Sequence, residues 1–134
     1  MTDNVQPDTG PDDDALALAH TLFQAAREGD TALLRAYLDA GAPATLTNAA
    51  GDSLLMLAAY HGHAETVQVI LAYGAEPGTA NDRGQTPLAG AAFKGYTDVA
   101  RVLLDAGADP DAGSPSARAA ARMFARQEIL DLLA

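Results

Sequence analysis

Histidines and carboxylates are the groups in this sequence that could bind a metal or transfer a proton. His61 and His63 flank one glycine and are followed by Glu65, so the three could begin a metal site. His20 has no partner at a useful spacing. Most carboxylates fall in the N-terminal segment, at expected helix starts or in turns, where Asp bonds its own backbone. Paired acid–base catalysis is therefore not expected.

Composition excludes several other kinds of chemistry. The chain of 134 residues has no Cys, which removes disulfides, thiolate zinc sites, iron–sulfur clusters and cysteine nucleophiles. It contains neither Gly-Lys-Ser/Thr nor Gly-x-Gly-x-x-Gly, the glycine motifs that hold nucleotides. Eight Lys and Arg against 18 Asp and Glu give a net charge of -10, which opposes binding to nucleic acid. We expect the protein to be non-enzymatic, to need no cofactor and to have no nucleic-acid partner.

The N-terminal segment is acidic and poor in apolar residues. Residues 1–14 contain five Asp and no basic residue, so we predict a disordered acidic tail. The basic region and apolar run of a secretory signal are missing from this start, and no stretch is apolar enough for a membrane span. We expect no membrane association and a cytoplasmic location. The Asp-rich, Ala-rich and Lys-poor composition favours a bacterial source.

A regular repeat organises the rest of the chain. Glycines recur at a spacing of 33 in three registers: Gly29, Gly62 and Gly95; Gly41, Gly74 and Gly107; and Gly51 and Gly84. The pairs Ala25-Ala26, Ala58-Ala59 and Ala91-Ala92 follow the same spacing. A period of this length is typical of stacked repeat architectures, in which each unit buries its apolar surface against its neighbours.

Each unit is expected to form two short helices. Thr86 suits the N-cap and Pro87 the first position of a helix that Gly95 ends. Thr97 is expected to cap the second helix, which ends before Gly107. Its apolar positions have the spacing of a helix with one buried face: Val99, Val102 and Leu103. The preceding unit has the same features, with Ser53 as cap.

These residues resemble the ankyrin repeat. The segments that carry the resemblance are 81–88 (Asn-Asp-Arg-Gly-Gln-Thr-Pro-Leu), 103–109 (Leu-Leu-Asp-Ala-Gly-Ala-Asp), 62–65 (Gly-His-Ala-Glu) and 74–76 (Gly-Ala-Glu). Met56 and Ala89 stand where the family usually carries His. His63 matches a His that the family commonly places after the junction glycine, which favours a structural role over metal binding.

The resemblance implies an all-α ankyrin-repeat solenoid of stacked antiparallel helix pairs joined by hairpin turns. One domain over residues 15–134 would comprise an N-terminal capping repeat (15–47), two full repeats (48–80 and 81–113) and a shortened C-terminal capping repeat (114–134). The last repeat is shortened because its second helix follows at a spacing of 30 instead of 33. Small Ala residues in the first helices should make one face of the stack concave.

The resemblance also implies a protein partner, bound by the hairpin tips and the inner surface of the first helices. The positions that match are Tyr60, His61, Asp82, Arg83, Gln85, Phe93 and Lys94, with Ala49, Ala50 and Asp52 beside them. Tyr60 and Phe93 occupy the same position in successive repeats and are expected to stack. We predict a monomeric, non-enzymatic adaptor or regulator.

Two alternatives remain open at this point. The acidic charge could make the protein a stoichiometric inhibitor or immunity-type protein that covers a basic site on its target. Arg118, Arg122 and Arg126 are spaced by four, which would place them on one helix face. That stripe could dock an acidic partner or the acidic tail, or could be a solvated capping surface.

Overall fold

The computed structural model describes residues 11–134, with side chains from residue 14 onward, and this region contains eight helices and no extended strand. Their bounds are α1 (Pro11–Glu28), α2 (Thr31–Asp39), α3 (Leu54–Tyr60), α4 (Ala64–Ala72), α5 (Pro87–Lys94), α6 (Thr97–Asp105), α7 (Ala117–Met123) and α8 (Gln127–Leu133). Consecutive helices pack as pairs, and each pair stacks on the next. The all-α repeat solenoid that the resemblance implies is confirmed.

The helices form two rows. The inner helices α1, α3, α5 and α7 contact one another in that order, and the outer helices α2, α4, α6 and α8 do the same. The core between the rows is aliphatic and rich in alanine, and residues such as Leu34, Ile70 and Leu103 are fully buried. The alanine pairs of α3 and α5 are also fully buried, because their small side chains lie where adjacent inner helices approach each other.

Local sequence explains where the inner helices begin. The hydroxyl oxygens of Ser53 and Thr86 accept hydrogen bonds from the backbone amides of Met56 and Ala89, at 3.0 and 3.1 Å. Both caps were predicted, and Pro87 lies at the first helical position as expected.

The predicted cap of α6 is wrong. Tyr96 occupies the N-cap position without a side-chain hydrogen bond, and Thr97 is the first residue of the helix. The hydroxyl group of Thr97 instead donates to Glu128 in the next outer helix, at 3.2 Å. A Thr one position inside the helix cannot act as its cap, so its hydroxyl is free to bond the adjacent pair.

Asparagine side chains shape the two hairpins between repeats. Asn48 Oδ1 accepts from the amides of Ala50 and Asp52, and Asn81 Oδ1 accepts from those of Arg83 and Gln85, each at 3.0 Å. These are Asx turns, which hold the chain in a tight reversal. The two asparagines occupy equivalent positions in successive repeats, so the same device forms both hairpins.

Asn81 also joins the two hairpins. Its amide group donates to Asp52 Oδ1 in the preceding hairpin and to Gln85 Oε1 in its own, both at 2.8 Å. The backbone amide of Asp82 donates to the carbonyl of Ala50 at 3.2 Å. The hairpins are thus fixed relative to each other by side-chain and backbone hydrogen bonds.

In these repeats a glycine joins the two helices of a pair, at Gly29 between α1 and α2 and at Gly95 between α5 and α6. The residue that precedes the second helix of the next pair packs over this junction glycine. A Cβ on Gly29 would lie 2.5 Å from the His63 ring, and one on Gly95 would lie 3.1 Å from the Arg126 guanidinium. His63 Nε2 donates to the carbonyl oxygen of Arg27 at 2.7 Å, so its ring is committed to inter-repeat packing. This contact supports the structural interpretation of His63.

Residues 11–14 differ from the disordered tail that is predicted over residues 1–14. Helix α1 begins at Pro11, so residues 11–14 are helical, and residues 1–10 lie outside the described part of the chain. Proline at the first position and Asp in the first turn are residue types that favour a helix start. Among residues 11–134, no helix has both the length and the apolar character needed to cross a membrane.

The predicted arginine stripe is also wrong. Helix α7 ends at Met123, and Arg126 is the N-cap residue of α8, so it cannot share a helix face with Arg118 and Arg122. Arg118 Nε donates to Asp111 Oδ1 at 2.8 Å. Arg126 Nη2 donates to the carbonyl of Phe93 at 2.7 Å, and Arg122 is exposed on α7. The three side chains therefore have separate environments.

Candidate functional site

The candidate site is a groove between the hairpins and the inner helices. We define the inner groove as the surface lined by Met56, Tyr60, Arg83, Gln85, Phe93 and Phe124. Its floor is made by Ala89, Gly90 and Ala120, whose small size leaves a cavity of about 220 Å³. Most of these residues belong to α3 and α5, so the repeat stacking itself positions the cavity.

Aromatic rings form one wall of the inner groove. Tyr60 and Phe93 lie nearly parallel, with ring centroids 6.4 Å apart and an interplanar angle of 7°, which confirms the predicted stack. Phe124 meets Phe93 edge-on, with centroids 4.8 Å apart. Such offset and edge-to-face pairs are favourable geometries for aromatic rings. Phe93 and Phe124 each remain 41% exposed, so the neighbouring repeats leave much of the two rings uncovered.

Cations border this aromatic wall. Lys94 Nζ lies 5.1 Å from the centroid of the Tyr60 ring, and the Arg126 guanidinium carbon lies 5.9 Å from that of Phe124. Both distances permit a cation–π interaction, which limits the freedom of the rings. Arg83 is exposed on the hairpin and also lines the cavity.

His61 lies beside the stack. Its ring meets Tyr60 edge-on at a centroid distance of 5.8 Å. Burial lowers the pKa of His61 below its usual value, and the positive charges of His63, Arg27 and Lys94 lower it further. His61 therefore stays neutral to a lower pH than an isolated histidine.

The predicted binding residues are largely contiguous. Tyr60, Arg83, Gln85 and Phe93 line the cavity itself. Lys94 lies over the Tyr60 ring, and His61 meets that ring edge-on. Gln85 is in part structural, because its side-chain oxygen accepts from Asn81. Three further residues that were named with them lie on the hairpins: Ala49, Ala50 and Asp52.

Asp82 lies apart from the cavity. Its carboxylate covers Gly51 of the preceding hairpin, where an added Cβ would lie only 2.3 Å from Asp82 Oδ1. Ala49 and Ala50 border a wider, open cavity of about 680 Å³ between the first hairpin and α1. That cavity has Phe23 and His20 on its α1 side and lacks the stacked rings of the inner groove.

Two residues of the aromatic and apolar wall escaped the sequence analysis. Because the last repeat is short, the fixed repeat period does not align Phe124 with Tyr60 and Phe93. The shorter spacing of the last repeat aligns Phe124 with Lys94. This spacing is the signal in the sequence that could have identified Phe124. The sequence marks Met56 only as a departure from the His that the family usually carries. It lies close to Gly90, where an added Cβ would be 3.2 Å from the methionine methyl carbon.

Comparison with known proteins decides the family. A family model described as ankyrin repeats, in three copies, matches residues 22–114. The chain belongs to the ankyrin repeat family. A protein of Pseudomonas aeruginosa that is named as an ankyrin repeat protein is 46% identical over 61 residues. The match covers 46% of this chain and 34% of that protein, so this chain matches only about a third of its relative's length.

Family membership sets the general type of function. Ankyrin repeats are generally protein–protein interaction modules, and they are generally non-enzymatic. In this ankyrin array the inner groove unites exposed aromatic rings, a small cavity and bordering cations.

Proposed function

We propose that this protein binds a partner protein through the inner groove and acts as a non-enzymatic adaptor or regulator. The observation that carries the proposal is the aromatic wall of Tyr60, Phe93 and Phe124, where two rings are each 41% exposed. Aromatic residues and arginine are the types that most often anchor protein interfaces, and contiguous exposed apolar surface often marks them.

Packing within the chain explains only part of this arrangement. Stacking already holds the rings in one geometry, so these side chains would lose little conformational entropy when a partner binds. Met56, Ala89 and Gly90 leave space beside the rings instead of filling it with larger side chains. A fixed aromatic wall beside an open cavity is suited to receive a side chain from another protein.

The alternative of an acidic inhibitor is not supported. Such a protein would need its carboxylates on the binding surface, yet the described residues that line the cavity of the inner groove include no Asp or Glu. We therefore propose the adaptor or regulator function alone. The predictions of a monomer and of a cytoplasmic location remain predictions, and equilibrium sedimentation and cell fractionation would check them.

The proposal is tested by affinity capture from native lysate with mass-spectrometric identification. The wild type is compared with a Tyr60→Ala, Phe93→Ala, Lys94→Ala variant, and circular dichroism establishes that the variant is folded. The matched control is Tyr73→Ala, because Tyr73 is 37% exposed but lies at the end of the outer helix α4. We expect one protein to be enriched by the wild type and by the control and to be lost with the triple variant. Equal capture by all three proteins would refute the inner groove as the binding surface.

A further inference from the structure

The three inner helices that border the groove differ in charge from the outer helices. The inner helices α3, α5 and α7 carry three cations and no carboxylate. The fourth inner helix, α1, has four carboxylates but contributes no residue to the lining of the cavity. The outer helices α2, α4, α6 and α8 carry Arg35 and Arg101 and six carboxylates: Asp39, Glu65, Asp98, Asp105, Glu128 and Asp131. A chain with a net charge of -10 thus keeps carboxylates off the inner helices that border its groove.

The charge nearest to the cavity is also positive. Among the described residues that line the cavity, Arg83 is the charged one. Asp52 lies in the adjoining part of the groove, but its Oδ1 accepts a hydrogen bond from Asn81 at 2.8 Å. Among the described residues, no carboxylate lies within salt-bridge distance of the Arg83 guanidinium. That group can therefore pair with a carboxylate from outside the chain.

Size limits what the cavity can hold. Its volume of about 220 Å³ is below the roughly 300–1,000 Å³ that is usual for small-molecule pockets. Its walls are largely apolar, with the rings of Tyr60, Phe93 and Phe124 on one side. A single large apolar side chain suits this space better than a free metabolite does.

We propose that the occupant of the inner groove is an acidic segment of the partner protein that presents one large apolar side chain next to an Asp or Glu. This inference rests on the proposed function and adds the chemistry of the partner to it. The apolar side chain enters between Met56, Phe93 and Phe124. The neighbouring carboxylate pairs with the guanidinium of Arg83, which presents rigid, paired donors to a carboxylate.

The test is a selection from a random peptide library displayed on phage, with the immobilised full chain as target. We expect the selected peptides to share a Leu, Phe or similar residue flanked by Asp or Glu. A selected peptide is then synthesised with a fluorescent label, and its affinity is measured by anisotropy. Selected peptides that are neutral or basic would overturn the proposal, as would a selection that enriches nothing.

Two substitutions and one control separate charge from cavity. Arg83→Glu should weaken the selected peptide by roughly tenfold or more, because it places like charges together. Phe93→Ala should weaken it by removing the aromatic wall. Arg101→Glu on the outer helix α6 is the matched charge control, and it should leave the affinity within about twofold. Unchanged affinity in Arg83→Glu would overturn the proposal.

The outcomes distinguish this inference from the proposed function. Peptides that depend on Phe93 but carry no acidic residues would overturn the partner chemistry and leave the inner groove as the binding surface. Selected peptides that bind Phe93→Ala and Arg83→Glu as well as the wild type would overturn both proposals. If no peptide is enriched, the linear acidic segment is refuted, and the capture experiment with the triple variant decides the proposed function by itself.

Discussion

Ala125 lies at the junction between the last two helices, where the other three pairs have glycine. The φ angles of Gly29, Gly62 and Gly95 are 75°, 83° and 81°, and that of Ala125 is 54°. All four residues are thus in the left-handed region of backbone space. For a residue with a Cβ this conformation costs roughly 1–2 kcal/mol of conformational free energy, because the Cβ approaches the backbone carbonyl oxygen.

We predict that Ala125→Gly stabilises the protein. The substitution removes the Cβ contact, and because the Ala125 side chain is exposed, it removes little packing. Glycine also increases the conformational freedom of the unfolded chain, which offsets about 0.4–1 kcal/mol of the gain. The net increase in the free energy of unfolding should be about 0.5–1 kcal/mol.

Urea unfolding followed by circular dichroism measures this change. The reverse substitution, Gly95→Ala, is the control, since it introduces the same strain at the preceding junction. Gly29→Ala should destabilise more than Gly95→Ala does, because its Cβ would lie 2.5 Å from the rigid His63 ring instead of 3.1 Å from a flexible guanidinium. If Ala125→Gly left the free energy of unfolding unchanged or lowered it while Gly95→Ala was destabilising, the reasoning would be refuted.

Three further predictions concern the core, the hairpins and one ion pair. Leu103→Ala should lower the free energy of unfolding by about 2–5 kcal/mol, because Leu103 is fully buried; a loss under about 1 kcal/mol in urea would contradict this. Asn81→Ala should cost about 1–3 kcal/mol by leaving two partly buried backbone donors unpaired, and hydrogen exchange should then increase in both hairpins. Arg118 lowers the pKa of Asp111, so the stabilisation from this pair is present above the unfolded-state pKa and is lost as the pH falls through the folded-state pKa. An NMR titration of Arg118→Gln should show the pKa of Asp111 rising towards its ordinary value, and an unchanged pKa would exclude this pairing in solution.

The fold could be predicted because each repeat carries its own local signals. Ser53 and Thr86 start inner helices, and Gly95 ends one in the left-handed conformation. Those signals act within a few residues and recur at a fixed period, so they can be identified in the sequence alone. Thr97 shows the limit of this approach, since a shift of one position turns a predicted cap into a contact with the next helix pair.

The candidate site could be predicted only where the period holds. Tyr60 and Phe93 are one repeat period apart, and their stacking follows from that spacing. The last repeat is shorter, so the position of Phe124 depends on how the final helix pair docks on α5. The spacing of four predicts that Arg126 shares a helix face with Arg122, but α7 ends at Met123, before Arg126. The cavity itself could not be predicted, because it depends on side chains that three different helices bring together.

Hydrogen–deuterium exchange with the captured partner tests the central claim most directly. The exchange rates of backbone amides are compared between the free protein and the complex, peptide by peptide. Binding in the inner groove predicts slower exchange in the 81–85 hairpin and at the C-terminal ends of α3 and α5, with little change in the outer helices α4 and α6. Protection confined to the outer helices, with the hairpin and inner helices unchanged, would contradict the inner groove as the binding surface.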